Sequence, residues 1–231
     1  MKTIGMIGGM SWESTVTYYK LINEAVKETL GGFHSAKCIL YSVDFHEIEQ
    51  GQAKGEWEKC GDILAEAAGN LQKAGADFII ICTNTMHKVV DQIQNRITIP
   101  ILHIAEATAD ELFINNISQV ALLGTKYTMQ QDFYKSKLLE RGLQVLVPEA
   151  EDMEFINSVI YKELCMGIIS EESKAEFIRI IQYLADRGAE GIILGCTEIG
   201  LLIKQEDTKI PLFDTAYIHA IRASRLAMEH N

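Results

Sequence analysis

Short apolar runs alternate along the chain with longer segments in which apolar residues recur every three or four positions. The runs have the length of buried strands, and the longer segments have the periodicity of amphipathic helices. The predicted strands are Thr3–Ile7, Cys38–Val43, Ala76–Ile81, Ile99–Ile104, 118–123, 143–147, 189–194 and 209–213. The predicted helices are 13–30, Trp57–Lys73, Met86–Ile97, 105–114, 128–141, two within 151–187, and 215–229. Such alternation is typical of an α/β fold with mainly parallel strands.

The chain carries an internal repeat. Shifting the sequence by 113 residues (188 − 75) aligns Gly75–Asn84 with Gly188–Thr197, and four of the ten pairs are identical. Two flanking pairs of blocks follow in the same order at nearly the same offset, namely 6–8 with 122–124 and 99–101 with 210–212. Three blocks in one order indicate two α/β halves of similar build.

We therefore expect two pseudo-symmetric, Rossmann-like domains, each with a mainly parallel, four-stranded sheet. The N-terminal half would comprise 1–98 with 210–231, and the C-terminal half 99–209. Ligands of open α/β sheets bind beyond the carboxyl ends of the strands, so we expect the active site in a cleft between the halves. The repeat then sets Thr83 opposite Cys196.

Cys196 follows the predicted strand that ends at Gly195 and precedes Thr197-Glu198-Ile199. A position at the start of a helix lowers the pKa of a thiol and provides N–H groups for a carboxylate, so we expect a thiolate there. The alternative is a buried structural thiol before a turn.

Cys82-Thr83-Asn84-Thr85 has the same arrangement of strand end, polar loop and helix start. Asn84 or Thr85 can cap the helix and leave N–H groups for an anion. Because side chains alternate along a strand, Cys82 is expected in the core if Thr83 faces the cleft. The alternative for Thr83 is a plain loop hydroxyl.

Three further segments carry weaker signals. The glycines of Gly5–Gly9 lack the GxGxxG spacing, although Asp44 keeps a dinucleotide site open as an alternative, and we expect them to form a turn that brings Met10 to the cleft. Gln52 lies in a predicted polar, Glu-rich loop and is a candidate ligand contact. His87, one turn after Thr83, could tune the cleft or be an ordinary surface or core histidine.

Composition excludes several classes of function. Lys+Arg 21 against Asp+Glu 32 gives a net charge of −11, which repels nucleic acid and anionic membranes. No apolar run approaches ~18 residues and the N-terminal apolar stretch is too short for a signal peptide, so we expect a cytoplasmic protein. The five cysteines form no CxxC pair, and no metal-binding spacing occurs among His34, His46, His87, His103, His219 and His230.

Taken together, Gly8–Trp12, Cys82–His87, Leu123–Thr125 and Gly195–Ile199 make the chain resemble the aspartate/glutamate racemase family over nearly all of its length. The resemblance implies a cofactor-independent enzyme of two pseudo-symmetric α/β domains, often dimeric, with the substrate bound between them. Most members have a cysteine where this chain has Thr83, and the threonine is similar to the bacterial branch of L-aspartate/glutamate-specific racemases. By the same resemblance, Cys196 and Thr83 are the catalytic pair, and the substrate contacts are Met10, Gln52, Asn84, Thr85 and Thr197.

The chain also departs from the family pattern where a basic residue and a lysine bind the distal carboxylate of aspartate. Ile48 and Leu164 stand near those positions, so the distal carboxylate is neutralised by Lys54, Lys126, Lys162 or none of them. We predict a racemase of L-aspartate or L-glutamate in which Cys196 removes the α-proton and Thr83 serves the other face, directly or through water.

Two alternatives use the same residues. A single thiol can protonate a planar intermediate, as in decarboxylation or isomerisation of a small dicarboxylate. A protein that has lost turnover can still bind an acidic amino acid.

Overall fold

The computed structural model describes residues 1–229, in which parallel strands alternate with helices as the hydropathy pattern predicts. The strands are β1 (Ile4–Gly8), β2 (Cys38–Ser42), β3 (Phe78–Ile81), β4 (Gln119–Gly124), β5 (Gln144–Leu146), β6 (Gly191–Gly195) and β7 (Leu212–Asp214). The α-helices are α1 (Trp12–Leu30), α2 (Phe45–Lys54), α3 (Trp57–Lys73), α4 (Val90–Gln94), α5 (Ile104–Ile114), α6 (Lys126–Gln130), α7 (Asp132–Leu139), α8 (Ala150–Lys162), α9 (Glu171–Asp186), α10 (Ile199–Leu202) and α11 (Thr215–Met228). No helix within 1–229 has the length and apolar character that crossing a bilayer requires.

The chain forms two compact units. The first comprises Met1–Ile104 and the chain from His219 onward, and the second comprises Ala105–Ile218. These boundaries differ from the predicted 1–98 with 210–231 and 99–209. Ile101 bridges to β3, which keeps this segment with the first unit, and β7 pairs with β6, which keeps β7 in the second.

The first unit contains a parallel sheet of three strands in the order β2-β1-β3. The predicted fourth strand is reduced to a single bridge between Ile79 and Ile101, in which the Ile79 N–H donates to the Pro100 carbonyl at 2.9 Å. Pro100 has no N–H with which to extend this ladder, and α5 already begins at Ile104, so the strand cannot lengthen in either direction.

The second unit contains the predicted four parallel strands, in the order β5-β4-β6-β7. Its register repeats that of the first sheet. Ile4 pairs with Phe78 in the first unit, and Val120 pairs with Gly191 in the second, at the repeat offsets of 116 (120 − 4) and 113 (191 − 78). The two-domain α/β fold with parallel sheets is therefore confirmed, with three strands and a bridge in one sheet and four strands in the other.

An equivalent carboxylate precedes β3 and β6. Asp77 accepts the Thr3 N–H at 2.5 Å, and Glu190 accepts the N–H groups of Ser118 and Gln119 at 2.6 and 3.1 Å. The bonds from the Ser118 and Gln119 amides lower the pKa of Glu190. Each carboxylate thereby ties the start of one strand to the start of its neighbour.

Each sheet is packed against helices that bury an apolar face. The first core combines strand residues with α3 and includes Ile7, Ile79, Ile81, Leu64, Ala67, Ala68 and Leu71. The second combines β4 and β6 with α8 and α9 and includes Leu123, Ile192, Leu194, Ile156, Ile160, Phe177 and Ile181. Fully burying each large apolar side chain contributes about 1.5–3 kcal/mol, so the strand ends that carry the loops are firmly held.

Three helical predictions need correction. The polar segment after β2 is not a loop but α2, because Ile48, Gly51 and Gln52 recur at helical spacing and are buried on one side. The predicted helix 86–97 is a 3₁₀ helix, Thr85–Val89, followed by the short α4. The predicted helix 128–141 is divided into α6 and α7 by the extended Gln131 (φ −87°, ψ 156°).

The start of α2 provides a test of this correction. Asp44 is its N-cap and its Oδ1 accepts the His46 N–H at 3.0 Å. Asp44→Ala should lower the free energy of unfolding by about 1 kcal/mol, since an orphan helix N–H loses its partner. Asp44→Asn, which caps equally well, should change it by a few tenths at most. Equal stability of both variants in urea titrations would mean that the cap does not hold α2.

Candidate active site

The loop after β1 is shaped by glycine. Gly9 has φ +92°, and a β-carbon there would lie 2.2 Å from the Val43 carbonyl oxygen, so only glycine fits. Its N–H donates to Thr15 Oγ1 at 2.8 Å. Met10 follows and is buried in the core of the first unit, and its peptide bond to Ser11 is cis. The expected turn is present, and it directs Met10 into packing.

The loop after β3 carries Thr83. Its N–H donates to the Ile81 carbonyl at 2.8 Å, which makes a tight turn directly after the strand. Thr83 is half-buried, while Cys82 is fully buried and its pKa is raised by that burial. The prediction that Cys82 belongs to the core is confirmed.

The segment after Thr83 is tightly packed. Asn84 and Thr85 are both buried, and Asn84 has helical backbone angles and does not cap the 3₁₀ helix with its side chain. Of the two residues predicted as possible caps, Asn84 or Thr85, Asn84 therefore does not take this role. Gln52, on α2, is buried and its Nε2 donates to Met86 Sδ at 3.1 Å. Gln52 therefore joins α2 to the segment that follows Thr83.

His87 follows Thr83 by four residues and is 1% exposed, so the alternative that it is a surface histidine is wrong. Its Nδ1 is 2.9 Å from the Thr83 carbonyl oxygen, and the Ile104 N–H donates to its Nε2 at 3.2 Å. Burial and the nearby His103 hold the pKa of His87 well below its usual value, so the ring is neutral.

In the second unit, Cys196 directly follows β6 and is 9% exposed. Its thiol donates to Glu198 Oε2 at 3.0 Å, and the Thr197 hydroxyl donates to the same oxygen at 2.8 Å. Glu198 is 3% exposed. A thiol, a hydroxyl and a buried carboxylate thus form one hydrogen-bonded group. Glu198 is not among the predicted site residues, although its position two residues beyond the cysteine is the signal for it.

The environment of Cys196 raises the pKa of its thiol. Burial is the largest cause, followed by the negative charge of Glu198 and by Cys165. The expectation of a thiolate at rest is therefore wrong. The following helix, α10, has only four residues, so its dipole is small, whereas the carboxylate is in direct contact.

Ile48 and Leu164, which stand near the places where the resemblance expects a cation, are both fully buried in apolar cores. Of the candidate lysines, Lys126 begins α6 at the carboxyl end of β4 and forms an ion pair with Glu154. Asp44, the residue that kept a dinucleotide site open, caps α2 instead.

Within residues 1–229, His, Cys, Asp and Glu side chains form no group of three that could hold a metal ion. His230 lies outside the described residues.

Comparison with known proteins assigns the chain to a family. The sequence pattern of the family described as Asp/Glu/Hydantoin racemase matches residues 7–223. The chain belongs to this family. It is an amino-acid racemase by family, and its two-domain α/β fold is that of the solved aspartate and glutamate racemases it resembles.

Individual relatives of this racemase agree with the assignment. The structure of a candidate Asp/Glu racemase from Yersinia pestis is 53% identical, covers 99% of this chain and 100% of its own, and has a TM-score of 0.93. An aspartate racemase homologue from Pyrococcus horikoshii OT3 is 41% identical, with coverages of 99% and 100% and a TM-score of 0.86. The broad specificity amino-acid racemase RacX of Bacillus subtilis (strain 168) is 26% identical over 92% of both chains.

The raised pKa of Cys196 can be tested by alkylation. Glu198→Gln removes the negative charge and the carboxylate acceptor, so the thiol pKa should fall, although burial still raises it. The iodoacetamide rate at Cys196, followed by mass spectrometry of its peptide, should then rise at lower pH in the variant than in the wild type. Cys38, whose pKa is raised by burial alone, is the control and should keep its profile. An unchanged Cys196 profile would show that Glu198 does not raise the pKa of the thiol.

Proposed function

We propose that this racemase inverts acidic amino acids without a cofactor, with Cys196 and Thr83 acting on opposite faces of the α-carbon. The observation that carries the proposal is the Cys196–Glu198 hydrogen bond of 3.0 Å directly beyond β6. It supplies a thiol with a carboxylate that can take its proton. In the sequence repeat, Thr83 corresponds to Cys196. Thr83 is two residues past the end of β3, and Cys196 is one residue past the end of β6.

The chemistry requires a base and an acid on opposite sides. Glu198 accepts the thiol proton of Cys196, and the resulting thiolate takes the α-proton of the substrate. The electron pair left on the α-carbon is delocalised into the substrate carboxylate. A proton returns on the other face from Thr83, which regains a proton from water while Glu198 releases its proton to solvent. Because an alcohol is a poor acid and a poor base, this step is slow or passes through a water molecule.

The carbanion needs stabilisation because an α-proton of an amino acid is only weakly acidic. We propose that backbone N–H groups at Asn84, Thr85 and Thr197 bind the α-carboxylate, where negative charge accumulates. Gln52 and Met10 would then bound the site from the first unit. Fixed N–H donors suit this task because they need no reorganisation during the reaction.

We propose aspartate or glutamate as the substrate because the relatives at 53% and 41% identity are described as an Asp/Glu racemase and an aspartate racemase homologue. RacX, described as having broad specificity, is more distant at 26%. Lys126 is the candidate cation for the distal carboxylate, and it would have to leave its ion pair with Glu154. Lys54 and Lys162 are the alternatives.

We further propose that the enzyme acts in the cytoplasm as a homodimer. Trp12, Val16 and Tyr19 recur at i, i+4 and i+7 on α1 and are all more than half exposed. An apolar stripe of this kind on a helix suits contact with a second copy.

One alternative has a specific observation in its favour. Cys82 is buried, so the Thr83 loop supplies an alcohol and Cys196 is the candidate reactive thiol. A single thiol suffices to protonate a planar intermediate after decarboxylation of a small dicarboxylate. Such an enzyme would not incorporate deuterium from D₂O into L-aspartate or L-glutamate, whereas a racemase would.

The proposal predicts a large effect at Cys196. In D₂O with L-aspartate or L-glutamate, Cys196→Ala should slow α-proton exchange and loss of optical activity by ~10²–10⁴-fold, because the base is removed. Proton NMR and circular dichroism follow the two processes. Cys38→Ala, which alters a half-buried thiol of the first unit, should retain both. Racemisation that persists in Cys196→Ala would rule out the assignment.

A further inference from the structure

Three buried histidines lie together in the first unit. The ring centroid of His87 is 4.6 Å from that of His103 and 5.8 Å from that of His219. Tyr18 contacts His219 edge-on at 5.7 Å. All four side chains are at most 5% exposed. Burying three imidazoles is costly unless their nitrogens are hydrogen-bonded, so the partners of these rings indicate their role.

The partners of His87 define its tautomer. Nε2 accepts the Ile104 N–H at 3.2 Å, so in the neutral ring the proton is on Nδ1. Nδ1–H therefore donates to the Thr83 carbonyl oxygen at 2.9 Å. One side chain thus links the peptide of the proposed catalytic threonine to the first residue of α5.

His219 holds the neighbouring segment in the same way. Its Nε2–H donates to the Leu102 carbonyl at 2.9 Å, and its Nδ1 accepts the Tyr18 hydroxyl at 2.9 Å. The Leu102 N–H in turn donates to Ile79 in β3. The segment to which His87 anchors the Thr83 loop is therefore itself fixed to α1, α11 and the sheet.

The loop needs such an anchor. Thr83 lies between β3 and the 3₁₀ helix, and its N–H donates to the Ile81 carbonyl in a tight turn. The Thr83 carbonyl carbon is bonded to the α-carbon, and the hydroxyl is on the β-carbon that this α-carbon carries. A displacement of about 1 Å at a reacting group can cost ~10²-fold in rate.

We infer that His87 is a positioning residue, which holds the Thr83 carbonyl through Nδ1–H and thereby aims the Thr83 hydroxyl at the substrate. The inference rests on the proposed function, since it gives Thr83 one of the two faces. It assigns His87 no proton transfer. The ring holds Thr83 and Ile104 at a fixed separation through the hydrogen bonds of its two nitrogens.

The test compares inversion with exchange. For the enantiomer whose α-proton faces Cys196, exchange in D₂O requires Cys196, whereas inversion also requires delivery from the Thr83 face. Thr83→Ala should therefore lower the ratio of inversion to exchange. His87→Leu should lower the same ratio, by about 10-fold or more, with a smaller change in KM. The double variant should be no worse than Thr83→Ala, because both changes disable one step.

Two further variants separate positioning from simple destabilisation. His219→Leu removes a buried histidine from the same cluster but leaves both His87 hydrogen bonds, so it should lower Tm and should lower the ratio less than His87→Leu does. His87→Asn keeps a donor near the position of Nδ1 and should restore much of the ratio that His87→Leu loses. If His87→Leu does not fold, the ratio measured for His87→Asn provides the test instead.

The outcomes distinguish failure of the positioning role of His87 from failure of the proposed function. An unchanged ratio in folded His87→Leu, a ratio in His87→Asn as low as that of His87→Leu, or an equal loss in His219→Leu would overturn the positioning role. Exchange that survives Cys196→Ala, or a ratio unaffected by Thr83→Ala, would instead overturn the proposed function.

Discussion

The strand register that the two sheets share is the constraint on which the site depends. Ile81 pairs with Ile7 and Leu194 pairs with Leu123, and in each unit the side chain of interest lies two residues beyond that pair. Because parallel strands end at one edge of a sheet, this register determines where Thr83 and Cys196 emerge. A shift of one residue in either ladder would turn its reactive side chain to the opposite face and bring Cys82 or Gly195 forward.

Burial and charge then determine what these side chains can do. The Cys196 thiol is stabilised in its protonated form by a low-dielectric environment and by the Glu198 carboxylate that accepts its proton. This arrangement protects the sulfur at rest and provides a proton acceptor within hydrogen-bond reach. Burial lowers the pKa of His219 to about 3, so its ring stays neutral while the loops are held. The charge of His219 is thus constant, whereas the charge of Cys196 changes when its thiol loses a proton.

The repeat in the sequence was sufficient to predict the α/β class, the parallel strands and the equivalence of the two strand ends. The number of residues that pair in each sheet was harder to predict. The segment Ile99–Ile104 is as apolar as a buried strand, but its Pro100 has no N–H to donate to a neighbouring strand. The helix α2 was missed for a related reason. Two of its three buried positions are Gly51 and Gln52, which do not read as apolar, although Asp44 and Gly55 mark its ends.

The details of the site depended on three-dimensional neighbours. The alternation of strand side chains correctly placed Cys82 in the core. The raised pKa of the Cys196 thiol could not be predicted, because it depends on the burial of the thiol and on the rotamer that brings the Glu198 carboxylate to 3.0 Å from the sulfur. The contacts of His87 were equally hidden, since Ile104 lies seventeen residues further along the chain.

The central claim is that one substrate α-carbon lies between residue 196 and Thr83. A crystal structure of the Cys196→Ala variant with L-aspartate would test it most directly, since removal of the base should trap the substrate. The account predicts the α-carboxylate on the N–H groups of Asn84, Thr85 and Thr197. It also predicts that Thr83 Oγ1, or a water molecule hydrogen-bonded to it, lies about 3.5 Å from the α-carbon, on the face opposite the β-carbon of residue 196. Both side chains on one face, or a carboxylate bound away from these amides, would contradict it.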